Sequence, residues 1–188
     1  MTGTALSARP TWRFLVAAPA HFIALGAGSG LPRRAPGTFG TLFGWIVFAL
    51  VQRGTGSAPG PAGWIAACAV LLPIGAWAAQ RTGAALGVAD SGHIVIDEVV
   101  AVWLVLALTP VVAPSLVARI GPWPAEAIGF VLFRGFDIAK PPPIRQFDRR
   151  LKNGWGVMLD DLLAALYTLL VVGSIGALTG APEAIAIH

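Results

Sequence analysis

Two adjacent pairs of acidic residues stand at the starts of apolar segments in this 188-residue chain, Asp97-Glu98 and Asp160-Asp161. Carboxylates at the start of a helix cap free backbone amides and complement the helix dipole, and one acid would suffice for that. A second adjacent acid adds desolvation and mutual repulsion beside an apolar segment, and a bound cation would relieve both. The pairs therefore predict a metal site, with helix capping as the alternative.

A fifth acid, Asp137, lies where another apolar segment ends. A carboxylate at that position meets the unfavourable pole of the helix dipole and needs a positive partner. Arg134 or Lys140 is one helical turn away and would supply a local ion pair. A metal ion shared with the acidic pairs would compensate Asp137 equally well, and a ligand set made only of oxygens beside a phosphate favours Mg²⁺.

A glycine-rich stretch, residues 26–40, carries hydroxyl and guanidinium donors at Ser29, Arg33, Arg34 and Thr38. Glycines allow backbone amides to approach an anion closely, and such side chains add further donors. The stretch does not match a Walker A loop, because no Gly-Lys-Ser/Thr follows the glycines. Taken alone, it favours a turn that leads the chain into a membrane.

Basic and acidic residues alternate closely over residues 133–161. Three consecutive prolines, residues 141–143, would stop a helix and fix an extended turn. Lys140 and Arg145 would then stand beside Asp137. This pattern predicts a site for a phosphate bridged by a metal ion, with a charged loop at the membrane surface as the alternative.

The composition indicates which elements must position these residues. The chain is 56% hydrophobic and 12% charged, with a mean hydropathy of +0.74, whereas soluble domains have about 25% charged residues. We expect one domain, residues 1–188, with an all-α fold: a multi-helix membrane bundle. Five apolar segments are predicted to be its helices, at about residues 39–51, 62–80, 97–118, 123–138 and 159–180. Residues 12–26 predict a further helix in the membrane interface, and residues 52–63 predict a loop. The N-terminal region, residues 1–20, is expected to be flexible or interfacial.

If the five segments cross the membrane in alternating directions, the charged residues fall on two sides. Eleven of the thirteen basic residues fall on one side, and only Arg53 and Arg119 fall on the other. Those eleven are Arg9, Arg13, Arg33, Arg34, Arg81, Arg134, Lys140, Arg145, Arg149, Arg150 and Lys152. The bias predicts that the acidic pairs and Asp137 meet at the cytoplasmic face. The net charge of +4 does not indicate nucleic-acid binding, because no basic run is interleaved with aromatic residues.

Four stretches of the chain resemble the motifs of the phosphatidylglycerophosphatase A family, in order and at similar spacing. They are GSGLPRRAPGTFGTL, IVIDEVVA, FRGFDIAKPPPIRQFD and NGWGVMLDDLLAAL, within about residues 22–170. The resemblance implies an all-helical, Mg²⁺-dependent enzyme of the bacterial inner membrane. It also implies removal of the terminal phosphate of phosphatidylglycerophosphate, which gives phosphatidylglycerol.

The resemblance places the family's acidic motifs on Asp97, Glu98, Asp137, Asp160 and Asp161, the expected metal ligands. Of these, Asp97, Asp137 and Asp161 are expected to be catalytic. The substrate phosphate is expected to contact Ser29, Arg34, Thr38, Lys140 and Arg145. A carboxylate would act either as general base or as nucleophile, and both routes stay open. The alternative function is a small transporter or channel subunit, which would carry its carboxylates near the middle of the helices.

Overall fold

All regular structure in the described part of the chain is helical. The computed structural model describes residues 9–54, 56, 58–142 and 153–180. Its α-helices are α1 (Trp12–Ala17), α2 (Pro19–Ala24), α3 (Pro36–Gly54), α4 (Pro61–Leu86), α5 (Ile96–Val112), α6 (Pro114–Ile120), α7 (Pro122–Ala139) and α8 (Gly154–Gly180). A short 3₁₀ turn, Gly26–Gly28, follows α2. The expected all-α fold is confirmed, and the five predicted apolar segments fall on α3, α4, α5 with α6, α7 and α8.

Prolines and glycines mark the helix ends. Pro61, Pro114 and Pro122 occupy first-turn positions, where the missing N–H has no intrahelical partner to lose. Gly87 ends α4 in the left-handed conformation, with φ 72°, which a residue with a side chain adopts at a cost. Between α5 and α6 the chain bends by 91° at Ala113. The third apolar segment is therefore a bent helix pair.

Two helices are long and apolar enough to cross a membrane, α4 with 26 residues and α8 with 27. The bent pair of α5 and α6 would make a third crossing if it forms one span. The other two predicted segments are helices of 19 and 18 residues, α3 and α7. Their crossing of the bilayer stays a prediction. These features support a membrane protein with two or three clear spans.

Helix α5 occupies the centre of the bundle and packs against α3, α4, α7 and α8. Its residues Val100, Ala101, Val102 and Val105 have no exposed surface. The contacts along its length show that α3, α5 and α8 run in one direction, whereas α4 and α7 run in the other. The starts of α3, α5 and α8 therefore meet the end of α7 at one end of the bundle.

Two regions differ from the sequence prediction. Residues 12–26 form two short helices and a turn in place of one helix, because the chain is extended at Ala18. The second acidic pair was predicted to open its helix, and this is wrong, since α8 begins at Gly154. Asn153 caps α8 by accepting a hydrogen bond from the Gly156 amide at 2.9 Å. Asp160 is consequently the seventh residue of the helix.

Candidate active site

The first turn of α5 carries Asp97 and Glu98, and both are buried. Two contacts fix this turn. The Val95 amide donates to the carbonyl of Ala24 at 2.8 Å, and a Cβ on Gly40 of α3 would lie only 2.5 Å from the Val95 Cβ. A larger residue at position 40 would force α3 away from the start of α5. The glycine therefore brings α3 against the two carboxylates.

Helix α8 supplies Asp160 and Asp161, which are 6% and 3% exposed. Gly154 lets this helix approach α4, because a Cβ there would lie 1.9 Å from the Ala76 carbonyl oxygen. The pair lies two turns into α8, beyond the free amides of the helix start. Helix capping, the alternative explanation of this acidic pair, is thus excluded.

Asp97, Glu98 and Asp161 meet as a carboxylate triad, each offering one oxygen within 4.8 Å of the others. Asp97 Oδ1, Glu98 Oε2 and Asp161 Oδ2 are buried and have no hydrogen-bond partner. Buried carboxylate oxygens without donors are costly, and a cation would satisfy all three at once. The spacing and the oxygen-only donor set fit a hard divalent cation. The predicted metal site is supported for these three residues.

Arg134 on α7 connects the triad with Asp137. Its guanidinium forms an ion pair with Asp137, and its Nη1 lies 3.6 Å from Glu98 Oε1. The same nitrogen is 3.4 Å from the hydroxyl oxygen of Thr41 on α3. Asp137 also faces Asp161. The local ion pair predicted for Asp137 is confirmed, whereas its role as a metal ligand stays a prediction.

Lys140 ends α7 and forms an ion pair with Asp160 on α8. Its backbone is left-handed, with φ 41° and ψ 62°, a conformation uncommon for residues other than glycine. This conformation takes the chain out of α7 at the lysine. Lys140 therefore holds the end of α7 against α8 and brings its ammonium group to the edge of the cluster.

Within the cluster, carboxylates outnumber cations among the residues that the structure describes. Five carboxylates lie there with two cationic side chains, Arg134 and Lys140. The described part of the cluster therefore has a formal excess of three negative charges. Such an excess favours a bound cation, which would also reduce repulsion of an anionic phosphate.

The predicted phosphate-binding residues lie in different surroundings. Thr38 is half-buried in the first turn of α3, and Arg34 is exposed in the turn before it. The Ser29 hydroxyl donates to the Gly26 carbonyl at 2.8 Å, so it stabilises its own turn. Arg145 lies outside the described residues. Phosphate binding by these four residues and by Lys140 stays a prediction.

Sequence reasoning missed two members of the site and gave a third only a local role. Thr41 and Gly37 line the cluster from α3, and a Cβ on Gly37 would lie 2.2 Å from Glu98 Oε1. Arg134 was expected only as a neighbour of Asp137, yet it also contacts Glu98. The sequence indicated these roles only weakly, because each of these contacts joins separate helices. Gly37 and Thr41 lie within one of the four motif stretches, which was the available hint.

A second buried acid, Glu126, lies far from the cluster, at the opposite end of the bundle. It forms an ion pair with Arg53 and accepts a hydrogen bond from Trp45 Nε1 at 2.8 Å. The Arg53 guanidinium lies 3.8 Å over the Trp123 ring. The Glu126 carboxylate is thus hydrogen-bonded on both oxygens, which distinguishes it from the triad.

Comparison with known proteins identifies relatives over most of the chain. Residues 22–175 match the family model described as phosphatidylglycerophosphatase A. The phosphatidylglycerophosphatase A of Haemophilus influenzae is 42% identical over 157 residues, which cover 84% of this chain and 88% of that protein. That of Escherichia coli is 33% identical over 170 residues, 87% of each chain. A Bacteroides thetaiotaomicron protein with the provisional name phosphatidylinositol-3-phosphatase is 35% identical over 156 residues, 80% of this chain and 89% of its own length. No solved structure gives a significant match.

Proposed function

The chain belongs to the phosphatidylglycerophosphatase A family, and from that premise we propose that it hydrolyses phosphatidylglycerophosphate to phosphatidylglycerol and phosphate. We further propose that Mg²⁺ is its cofactor and that its site lies at the cytoplasmic face of a bacterial inner membrane. The observation that carries this proposal is the triad of Asp97, Glu98 and Asp161. Each residue offers one oxygen within 4.8 Å of the others, and each has a buried oxygen without a hydrogen-bond partner. The basic residues predicted on the same side support the cytoplasmic orientation.

In the proposed reaction, one molecule of water is consumed and the bond from the terminal phosphorus to the glycerol oxygen breaks. The products are inorganic phosphate and the lipid alcohol. A divalent cation held by the triad would neutralise charge on the phosphate and favour attack by water. Arg134 holds Glu98 and Asp137 in place, and Lys140 holds Asp160. We propose that both cations also stabilise negative charge on the phosphate oxygens.

Two routes remain for the carboxylate that starts the reaction. As a general base it removes a proton from the attacking water. As a nucleophile it forms an acyl phosphate, which water then hydrolyses. A single turnover in water labelled with oxygen-18 detects the nucleophilic route if water attacks the acyl carbon, because attack at phosphorus labels the phosphate on either route. With a nucleophilic carboxylate, the phosphate from the first turnover is unlabelled when water attacks the acyl carbon, and the label enters the protein.

The proposed function is tested by phosphate release from phosphatidylglycerophosphate, with purified protein in detergent. Excess EDTA should abolish the release, and added Mg²⁺ should restore it. Asp97→Asn and Asp161→Asn should each lose most of the activity, while Asp90→Asn, the matched change at an exposed acid, should keep it. Full turnover in excess chelator would contradict the proposed cofactor.

The same assay distinguishes lipid headgroups. Phosphatidylinositol 3-phosphate should be compared at equal concentration, because one relative is named for that kind of substrate. We expect a preference for phosphatidylglycerophosphate, in line with the names of the other two relatives. The reverse preference would refute the proposed substrate and leave the phosphatase activity intact.

The transporter or channel alternative has less support from the geometry. It would require carboxylates along the middle of the helices. The cluster lies instead at the start of α5 and the end of α7. We therefore retain the phosphatase as the proposed function.

A further inference from the structure

An apolar groove of about 590 Å³ runs along the outer face of α3. Its lining includes Leu42, Ile46, Ala49 and Leu50 of α3, together with Trp123 at the start of α7. The three larger aliphatic side chains on α3 are 40%, 50% and 65% exposed. Ala49 is the small residue among them, and its methyl group leaves the groove open. The groove exists because α3 packs closely along α5, whereas its backbone lies farther from α7, to which it is joined mainly by side chains.

The groove begins at Leu42, the residue after Thr41, whose hydroxyl lies beside Arg134 of the candidate active site. Residues four apart share one face of a helix, so the line from Thr38 through Leu42 to Ile46 follows a single side of α3. Thr38 lies in the first turn of α3, next to Gly37, which faces Glu98. A molecule with its phosphate at the cluster would thus find an apolar path directly behind its headgroup.

The far end of the groove is lined by Arg53, Gly54 and Trp123, and the charge of Arg53 is neutralised there. Arg53 lies over the Trp123 ring and is paired with Glu126, so its charge is already compensated. A charged headgroup would gain little there. From Leu42 to Leu50 the helix rises about 12 Å, which lies within the ~15 Å hydrocarbon depth of one leaflet. Apolar walls, this length and the position behind the headgroup fit a hydrocarbon chain.

We propose that this groove holds one acyl chain of the substrate lipid while the phosphate of that lipid lies at the carboxylate cluster. This inference rests on the proposed function and adds a second recognition element to it. Membrane lipid is as apolar as the groove, so burial from water contributes nothing to the binding. The groove packs against the acyl chain and orients the lipid, and it thereby keeps the glycerol phosphate aligned with the triad.

A side chain that fills the groove should therefore impair long-chain substrates selectively. Ala49→Phe places a ring towards the far end of the groove, about 10 Å along α3 from Leu42. Loss of about ten carbon contacts predicts a fall in kcat/KM of about fivefold for dipalmitoyl phosphatidylglycerophosphate. The dihexanoyl substrate has chains too short to reach residue 49, and its kcat/KM should not change.

The matched control is Ala69→Phe, the same change at an exposed position of α4 away from the groove. It should leave both substrates unaffected. Leu50→Trp fills the groove from a second position and should reproduce the selective loss. Activity on the dihexanoyl substrate reports the fraction of folded enzyme in each variant, so misfolding is not mistaken for a blocked groove.

Equal kcat/KM values for the unsubstituted protein and Ala49→Phe on the dipalmitoyl substrate would overturn the proposal. So would equal losses on both substrates. Equal losses accompanied by a change in oligomeric state would assign the groove to contact between copies of the chain. If the unsubstituted protein hydrolyses neither substrate, the proposed function itself is refuted, and the acyl site is refuted with it.

Discussion

Gly37→Ala is the most informative single change at the candidate site, because it adds one methyl group beside a carboxylate of the triad. The new Cβ would lie 2.2 Å from Glu98 Oε1 and 3.1 Å from the nearest Arg134 nitrogen. Carbon and oxygen atoms that are not bonded stay more than 3.0 Å apart. The Glu98 carboxylate must therefore retreat by about 1 Å. A misplacement of this size costs about 10²-fold in rate, or about 2.7 kcal/mol of transition-state stabilisation.

The fold should survive the same change. The contact is with the far end of a flexible side chain, so Glu98 can move without displacing any backbone. Residue 37 lies in the first turn of α3, and alanine is favoured over glycine in helices by up to about 1 kcal/mol. We expect the thermal midpoint in detergent to stay the same or rise. If the variant is stable but inactive, its loss of activity is due to displacement of the Glu98 carboxylate.

The assay is phosphate release at saturating Mg²⁺, with Gly135→Ala as the matched control. Gly135 lies on α7 between Arg134 and Asp137, and a Cβ there meets no atom within 4 Å. This control should keep full activity. In a Glu98→Ala background, Gly37→Ala should cause no further change in activity, because the oxygen atom that the new methyl group would clash with is absent. Near-normal activity of Gly37→Ala would show that Glu98 does not act from its observed position, and the reasoning would fail.

Four further predictions concern charge and orientation. Asp161→Asn should weaken Mg²⁺ binding at least about tenfold by calorimetry, and it should stabilise the protein in EDTA because a buried carboxylate oxygen without a hydrogen-bond partner is lost. Arg134→Lys should lower kcat about tenfold or more, since an ammonium group cannot contact Glu98 and Asp137 together; unchanged kcat would contradict this role. Glu126→Gln should cost about 1–3 kcal/mol of stability but leave the activity of the folded protein unchanged. Single cysteines at Ala35 and Ala58 should label from opposite sides of the membrane in a cysteine-free background, and labelling from one side would refute the orientation.

The sequence was sufficient to locate the helices, because long apolar runs have few alternatives in a membrane. It was less reliable at the ends of the helices. The start of α8 lies six residues before the acidic pair because Asn153 caps the helix and Gly154 packs on the Ala76 carbonyl. The Gly154 contact depends on α4, which no local pattern at residues 153–161 could reveal.

The convergence of the acids could be predicted, since alternating helices return to the same end of a bundle. The full set of ion-pair partners of those acids could not be predicted. Arg134 is local to Asp137, and that pair was expected, but its approach to Glu98 depends on how α7 packs against α5. The Ser29 hydroxyl has a suitable residue type for phosphate binding, yet the positive φ of Gly26 folds the turn so that the hydroxyl bonds within it.

The close packing of α3 on α5 has a mechanical consequence. A Cβ on Gly44 would lie 2.7 Å from Val102 Cγ1, and the Gly44 carbonyl accepts a hydrogen bond from Trp103 Nε1 at 2.8 Å. Together with Gly40, this contact holds the middle of α3 against the central helix. Because both glycines lie against α5, we expect α3 to move relative to α5 as one rigid segment. A displacement of α3 would then change the position of Gly37 beside Glu98 and the width of the groove together.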